Sequence, residues 1–171
     1  MPRSIPAINN RLAVPAVNDM DDIQTLRRIL RETKTIAVVG LSAHWYRPSY
    51  FAAKYMLDHG YRIIPVNPAY KEVLGQKCYA SLRDIPEKVD MVDCFRKSAD
   101  IPAIAEDAIA IGAKMLWMQI GVTNDAAADK ARAAGLDVVM DRCVKIEHAR
   151  LFGGLGWVGV NTGVISSKRP M

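Results

Sequence analysis

The stretch TIAVVGLSAHWYRPSYFAAKYMLDHGYRIIPVNP, residues 35–68, decides the fold. TIAVVG is a short β-branched apolar run closed by Gly40. SYFAAKYMLDHG (49–60) is helical in pattern and stops at a glycine, and YRIIPVNP (61–68) is a second strand. Together they make one βαβ unit, because two parallel strands must be joined by a crossover. The alternation continues to the right. VDMVDCF (89–95) reads as a third strand, and IPAIAEDAIAIG (101–112) as a helix with proline in its first turn and glycine just past its end. AKMLWMQIG (113–121) is a fourth strand, NDAAADKARAAG (124–135) a helix that Asn124 can cap, and LDVVM (136–140) a fifth strand. Strands alternating with helices in runs this short predict a parallel sheet covered on both faces, a doubly wound α/β domain of about five strands.

The flanks read differently. Residues 1–18 are expected to be a flexible arm, and DDIQTLRRILRET (21–33) a helix with Ile23, Leu26, Ile29 and Leu30 at helical spacing. Its acids lead and its arginines follow, which complements the helix dipole, and it is expected to pack on the domain that follows. RCVKIEHARLF (142–152) predicts a last helix. The tail from residue 153 to 171 is rich in glycine and poor in periodicity, so it is either disordered or laid over another surface. The resulting division is an arm and helix (1–34), one α/β domain (35–152) and a tail (153–171).

The 171 residues, half of them hydrophobic, suffice for one core and are too few for two ordinary domains. No apolar run approaches the roughly 18 residues of a membrane span, and the N-terminal stretch is broken by prolines and asparagines where a signal peptide is continuous. A cytoplasmic location is expected, and three widely spaced cysteines suit free thiols there. No CxxC or HxxxH pair points to a metal. The net charge of +5 raises nucleic acid as a partner, so its location matters. Residues 1–34 carry six Lys/Arg against four acids, residues 35–141 twelve against thirteen, and residues 142–171 five against one. The surplus sits at the ends, and the near-neutral middle lacks the basic footprint of a nucleic-acid-binding domain.

In an open parallel sheet the ligand lies at the carboxyl ends of the strands, where the topology switches. That rule nominates residues 40–49, 66–71, 95–98 and 118–122. In the first loop Gly40 permits close approach, the following helix turns its N-terminus to the loop, and Ser42, Arg47 and Ser49 are donors suited to phosphate. The three glycine positions of a dinucleotide fingerprint read Gly40, Ser42 and Trp45, which argues against a pyrophosphate gripped as in an NAD site. The acid that holds the NAD ribose is also missing, since the end of the second strand reads Val66, Asn67, Pro68. Cations stand nearby instead: Lys71 after the turn, and Arg96 and Lys97 after the third strand. A ligand with phosphate where NAD has hydroxyls suits them, a condition that NADP and coenzyme A both meet.

VVGLS, HGYRIIPVNPAY, LGQKCYASLRDIP, VDMVDCFRK, LWMQIGV and MDRCVKIEHARL, in this order and spacing, resemble the single-domain coenzyme A-binding proteins, relatives of the N-terminal domain of the succinyl-CoA synthetase α subunit. The likeness runs from about residue 35 to 151. It implies a Rossmann-like fold with CoA over the strand ends. The family's glycine turn falls on Gly40, Leu41 and Ser42, and its Val-x-Pro turn on Val66, Asn67 and Pro68. Its basic position falls on Tyr70 or Lys71, its aromatic on Phe95 followed by Arg96, and a further contact on Gln119. His44, Trp45 and Tyr46 make this first loop longer and more aromatic than in the synthetase.

The synthetase's phosphorylated histidine belongs to a second domain, and the histidines of this chain, His44, His59 and His148, have no visible partner for catalysis. A CoA-binding sensor or regulatory module, without catalytic residues, is therefore favoured over an enzyme, with an NADP-dependent oxidoreductase as the alternative. A homo-oligomer or a protein partner engaged through the termini is compatible with the sequence. Trp117 and Cys94 are expected in the core, while Cys143, between Arg142 and Lys145, sits where positive charge could lower a thiol pKa.

Overall fold

The computed structural model describes residues 23–153. The chain runs α1 (Ile23–Glu32), β1 (Thr35–Val39), α2 (Pro48–Asp58), β2 (Arg62–Val66), a hairpin of β3 (Glu72–Val73) and β4 (Gln76–Lys77), and β5 (Met91–Cys94). It continues through α3 (Ile101–Ala110), β6 (Met115–Met118), α4 (Asp125–Ala133), β7 (Asp137–Val139) and α5 (Val144–Phe152). Five strands form one sheet in the order β2-β1-β5-β6-β7, every neighbouring pair parallel, so the Rossmann-like doubly wound reading holds. The direction of winding reverses between β1 and β5, the switch point that the sequence nominates for a ligand. Register keeps the strand ends level: Val39 pairs with Val66 on one side and with Cys94 on the other, and Cys94 pairs with Met118. The loops that leave these four strands consequently meet at one edge.

Side chains alternate across the sheet, and both faces are apolar. Ile36, Val38, Met91, Met115 and Trp117 pack with α1, α2 and the first residue of α5, while Ala37, Val92, Cys94, Leu116 and Met118 pack with the small residues of α3 and α4. Leu26, Ile29 and Leu30 of α1 are each at most 1% exposed, and at about 1.5–3 kcal/mol per buried side chain they hold that helix on the sheet as expected. Cys94 and Trp117 are core residues, the indole Nε1–H of Trp117 donating to the Arg142 carbonyl at 2.8 Å. Among the described residues no helix is long and apolar enough to cross a membrane.

The boundaries differ from the sequence reading in ways that local chemistry explains. α2 begins at Pro48, whose fixed φ and missing N–H suit the first helical position, and Gly60 follows its end at φ 91°. Asn124 caps α4 by accepting from the Ala127 amide at 2.9 Å. The hairpin of β3 and β4 is unforeseen: Leu74 and Gly75, at φ 56° and 69°, make a two-residue turn of the kind that glycine or asparagine usually signals at both positions. Residues 1–22, including the whole of the expected arm and the Asp21 and Asp22 that open the expected helix, and the tail from 154 to 171 lie outside the described residues.

Gly40 ends β1 where backbones crowd. Its N–H donates to Val66 O at 2.9 Å, its φ is 84°, and a Cβ placed on it would stand 2.5 Å from Phe95 O and 2.8 Å from Arg96 Cδ. Gly60 has an equally positive φ, but nothing lies within 4 Å of where its Cβ would be. Gly60→Ala should therefore cost only the backbone strain, about 1–3 kcal/mol, whereas Gly40→Ala should cost that and the collision with β5. Urea denaturation of the two variants measures the difference, and equal losses would mean that the close approach at Gly40 is not a constraint.

Candidate functional site

At the carboxyl edge of the sheet two cavities adjoin, with Pro48 and Phe95 common to both. The smaller, about 450 Å³, lies over the ends of β1 and β2 and is lined by polar residues: Ser42, His44, Arg47, Ser49, Asn67 and Tyr70, with Gly40 at its floor. The larger, about 960 Å³, lies over β5 and β6 against the start of α5, where Ile120, Val122 and Ile146 make it more apolar and Arg96 and Lys97 stand on its wall. Both volumes fall within the range of small-molecule sites.

Much of the polar chemistry in the smaller cavity holds the loops themselves. The Ser49 hydroxyl accepts from the Ser42 amide at 3.1 Å, and the Ser42 hydroxyl accepts from the His44 amide at 3.1 Å. Asn67 spans the two turns, its amide donating to Leu41 O at 3.1 Å and its carbonyl accepting from Ala69 N at 3.0 Å. The amides of Gly40, Ser42, His44 and Arg47 are thus spent on Val66, Ser49, Ser42 and His44 respectively. The amides of Ala43, Trp45 and Tyr46 have no partner among the described residues. Beside them stand the two serine hydroxyl protons, the first turn of α2, whose cap residue Arg47 makes no side-chain hydrogen bond, and the cations.

The cations divide. Arg47 lines the smaller cavity with its guanidinium 5.8 Å from the Tyr46 ring, and Arg96 and Lys97 line the larger. Arg96 Nε donates to Asp100 Oδ2 at 3.2 Å, an ion pair exposed enough to be worth no more than about 1 kcal/mol and readily exchanged for a ligand anion. Lys71 is exposed, its carbonyl accepting from Cys78 N in the hairpin, and it lines neither cavity; Tyr70 takes the place beyond the second turn. Pro68 is exposed and lines neither cavity, while Val66 and Leu41 are buried and serve through their carbonyls. Trp45 and Tyr46 stand outside the cavities, 69% and 55% exposed.

Beneath the larger cavity lies a residue that the sequence reading missed. Asp93, on the Met91 side of β5, is 1% exposed and accepts from Gln119 Nε2 at 2.5 Å. Gln119 Oε1 in turn accepts from the Val144 amide at 3.3 Å, so this buried pair ties β5 and β6 to the N-terminus of α5. Gln119 is therefore a strut as well as a lining residue. Burial pushes the Asp93 carboxyl up to about 7, against the opposing hydrogen bonds from Gln119 and the Cys94 backbone. The available signal was Asp93, the second of the two acids in VDMVDCF, set between the apolar residues Val92 and Cys94. Cys143 also lines the larger cavity, and burial raises its thiol pKa with the influence of Lys145 too small to offset this, so the neighbouring cations do not activate it. Burial likewise raises Cys94. His44 lines the smaller cavity stacked on Tyr46 at 5.4 Å, with no carboxylate beside it.

The profile of the family described as CoA binding domain matches residues 34–149. The chain is 42% identical over 124 residues to YneT of Bacillus subtilis, an uncharacterized protein, covering 72% of this chain and 92% of that one. It resembles a solved hypothetical protein from Pyrococcus horikoshii with 45% identity and a TM-score of 0.75, over 77% of this chain and 93% of the other. It is also 30% identical over 81 residues to the acetate–CoA ligase (ADP-forming) of Methanocaldococcus jannaschii, a match of 47% of this chain to 12% of the ligase.

The folded pKa of Asp93 lies above its ordinary value of 3.8, so between about pH 4 and about pH 7 the native state holds a proton that the unfolded state has lost. Its contribution to stability falls as pH rises through that window, by roughly 4 kcal/mol over the three units. Asp93→Asn keeps the acceptor for Gln119 and removes the titration. Its melting temperature should match wild type near pH 4 and exceed it above pH 7; a gap that does not vary with pH would show that Asp93 is ionised throughout.

Proposed function

The chain belongs to the CoA binding domain family, and from that premise we propose that it is a cytoplasmic coenzyme A or acyl-CoA binding protein acting as a sensor or regulatory module rather than an enzyme. The observation that carries the reading is the pair of cavities joined at Pro48 and Phe95. Coenzyme A is a phosphate-rich nucleotide continued by a long, less polar arm that ends in a thiol. A polar cavity beside Arg47 suits the first part, the apolar cavity suits the second, and Arg96 and Lys97 stand at hand for phosphate.

Two further features support binding of CoA over NAD. No acid follows β2 to take ribose hydroxyls, and both ends of the Asn67 side chain are already engaged. Binding without a reaction accords with the absence of an oriented base or nucleophile: His44 has no carboxylate, Cys143 holds its proton more tightly than a free thiol, and Asp93 is sealed beneath the cavity floor. The chemistry of the acetate–CoA ligases does not transfer, since the match spans 12% of their length.

Titration calorimetry with CoA, dephospho-CoA, NAD and NADP tests the proposal. CoA should bind more tightly than NAD, and equal affinity for the two would sink it, while preference for NADP would favour the oxidoreductase alternative. Arg96→Ala should weaken CoA by about 1.5 kcal/mol, roughly tenfold, as expected for loss of a charge-assisted hydrogen bond. Lys71→Ala, at a residue that lines neither cavity, should change affinity by less than about twofold, within the ordinary effect of a surface substitution.

A further inference from the structure

The opposite edge of the sheet, where β1 and β2 begin, holds another cavity of about 520 Å³. Its walls come from the end of α1, the turn between α2 and β2, and the last turns of α5. Arg31, Lys34 and Arg62 line it together with His59 and His148, and no Asp or Glu does. Arg62 is spent on Glu87, which it meets through two nitrogens, and on Gln76. Arg31 and Lys34 are different: both are exposed, and neither side chain has an acidic partner among the described residues. The Arg31 guanidinium stands 6.0 Å from the Phe152 ring. The carboxylate of Asp90, behind the start of β1, accepts from the amides of Lys34 and Thr35 and pairs with Lys114, so it does not neutralise them.

His148 gives the cavity direction. It is 7% exposed, ringed by Tyr55, Tyr61, His59 and Phe152, with Nδ1 3.1 Å from the Tyr55 hydroxyl. Burial first, and His59 second, lower its pKa, so the ring is neutral at pH 7 and carries one N–H. A histidine used only for packing has both nitrogens satisfied. Here Nε2 has no partner among the described residues and is not among the sealed, unsatisfied atoms, which places it on the cavity that the ring lines. The direction of the Tyr55–His148 bond follows the tautomer, and in the one where the Tyr55 hydroxyl donates to Nδ1 the proton sits on Nε2 and can face an anion.

We propose that this cavity is a second binding site, separate from the carboxyl edge, for a small organic anion. Its carboxylate or phosphate head is held by Arg31, Lys34 and Nε2–H of His148, and its apolar body lies against Leu30, Tyr61 and Phe152. The side chains are arranged for this class: unpaired cations and a neutral donor at one side, aromatic and aliphatic surface at the other, and no acid to repel the head.

Proton NMR of the three histidine rings in the full chain tests the site, because His148 and His59 report on this edge and His44 on the other. Phenyl phosphate and benzoate serve as probes. Saturable shifts of the His148 and His59 signals with either probe support the site, and the tighter probe identifies the preferred head. The double variant Arg31→Ala/Lys34→Ala, changed only at exposed positions, should weaken that binding at least tenfold, while Arg96→Ala, which removes a cation from the far edge, should leave it unchanged. Absence of saturation at ~10 mM, ten times the Kd of a millimolar site, overturns the proposal. So does an equal loss in the two variants, which would mean that general charge and not this cavity attracts the anion.

Discussion

The rest of the structure depends on one close approach, that of the end of β1 to the end of β5. Gly40 lies where its own N–H reaches Val66 O on one side and where any Cβ would meet Phe95 O at 2.5 Å on the other. Phe95 N donates back to Val39 O at 2.9 Å, so the two chain segments are stitched together at the switch point. Because β1 is flanked by β2 and β5, this contact brings the three following loops to one edge in level register. A side chain here would push Phe95 and Arg96 away, and both line the cavities.

From this contact the site is built with polar struts set in an apolar frame. Asn67 ties the second loop to the first, Ser49 ties α2 to the first loop, and Gln119, held by Asp93, ties β6 to α5. α5 is further fixed by Glu147, which takes both Arg142 and the fully buried Arg150. Such a cluster stabilises little in net terms, since desolvation of the ions offsets their attraction, but breaking it leaves a buried charge unpaired. Its effect is to hold the wall that carries Cys143 and Ile146. Asp93 illustrates the cost of such struts, as an acid kept from water so far that its pKa rises to about 7.

The two edges of the sheet divide the chemistry. At the carboxyl edge the amides of Gly40, Ser42, His44 and Arg47 are committed within the loops, and in the proposed CoA site charge recognition rests largely on Arg47, Arg96 and Lys97. At the amino edge the recognition elements are a fixed ring, His148, and two cations at the ends of long side chains. Among the described residues neither edge brings together an oriented base, a nucleophile and a site for developing charge, and the proposed binding role rests on the ordering of the loops.

Much of the architecture was legible in residues 35–140, because each element carries local signals that its neighbours do not contradict: β-branched runs for strands, Pro102 and Gly112 around α3, and Asn124 before α4. The place of the two cavities was legible too, since a parallel sheet puts its loops at the carboxyl edge whatever the side chains. The hairpin of β3 and β4 was not, because Leu74 adopts a positive φ that its identity does not advertise. Nor were the roles of individual polar residues. Ser49 and Asn67 look from their types like ligand contacts, yet they hold the loops, and Lys71, a cation next to the right turn, points into neither cavity. Cys143 sits between two basic residues, and burial decides its pKa in the other direction. The sequence by itself determined that strands and helices alternate in a parallel sheet and where most of them fall, since propensity, capping and crossover length are local. Only the tertiary structure decided which donors are left for a ligand and which acid or thiol keeps its proton, because both depend on partners and burial brought from residues distant in the chain.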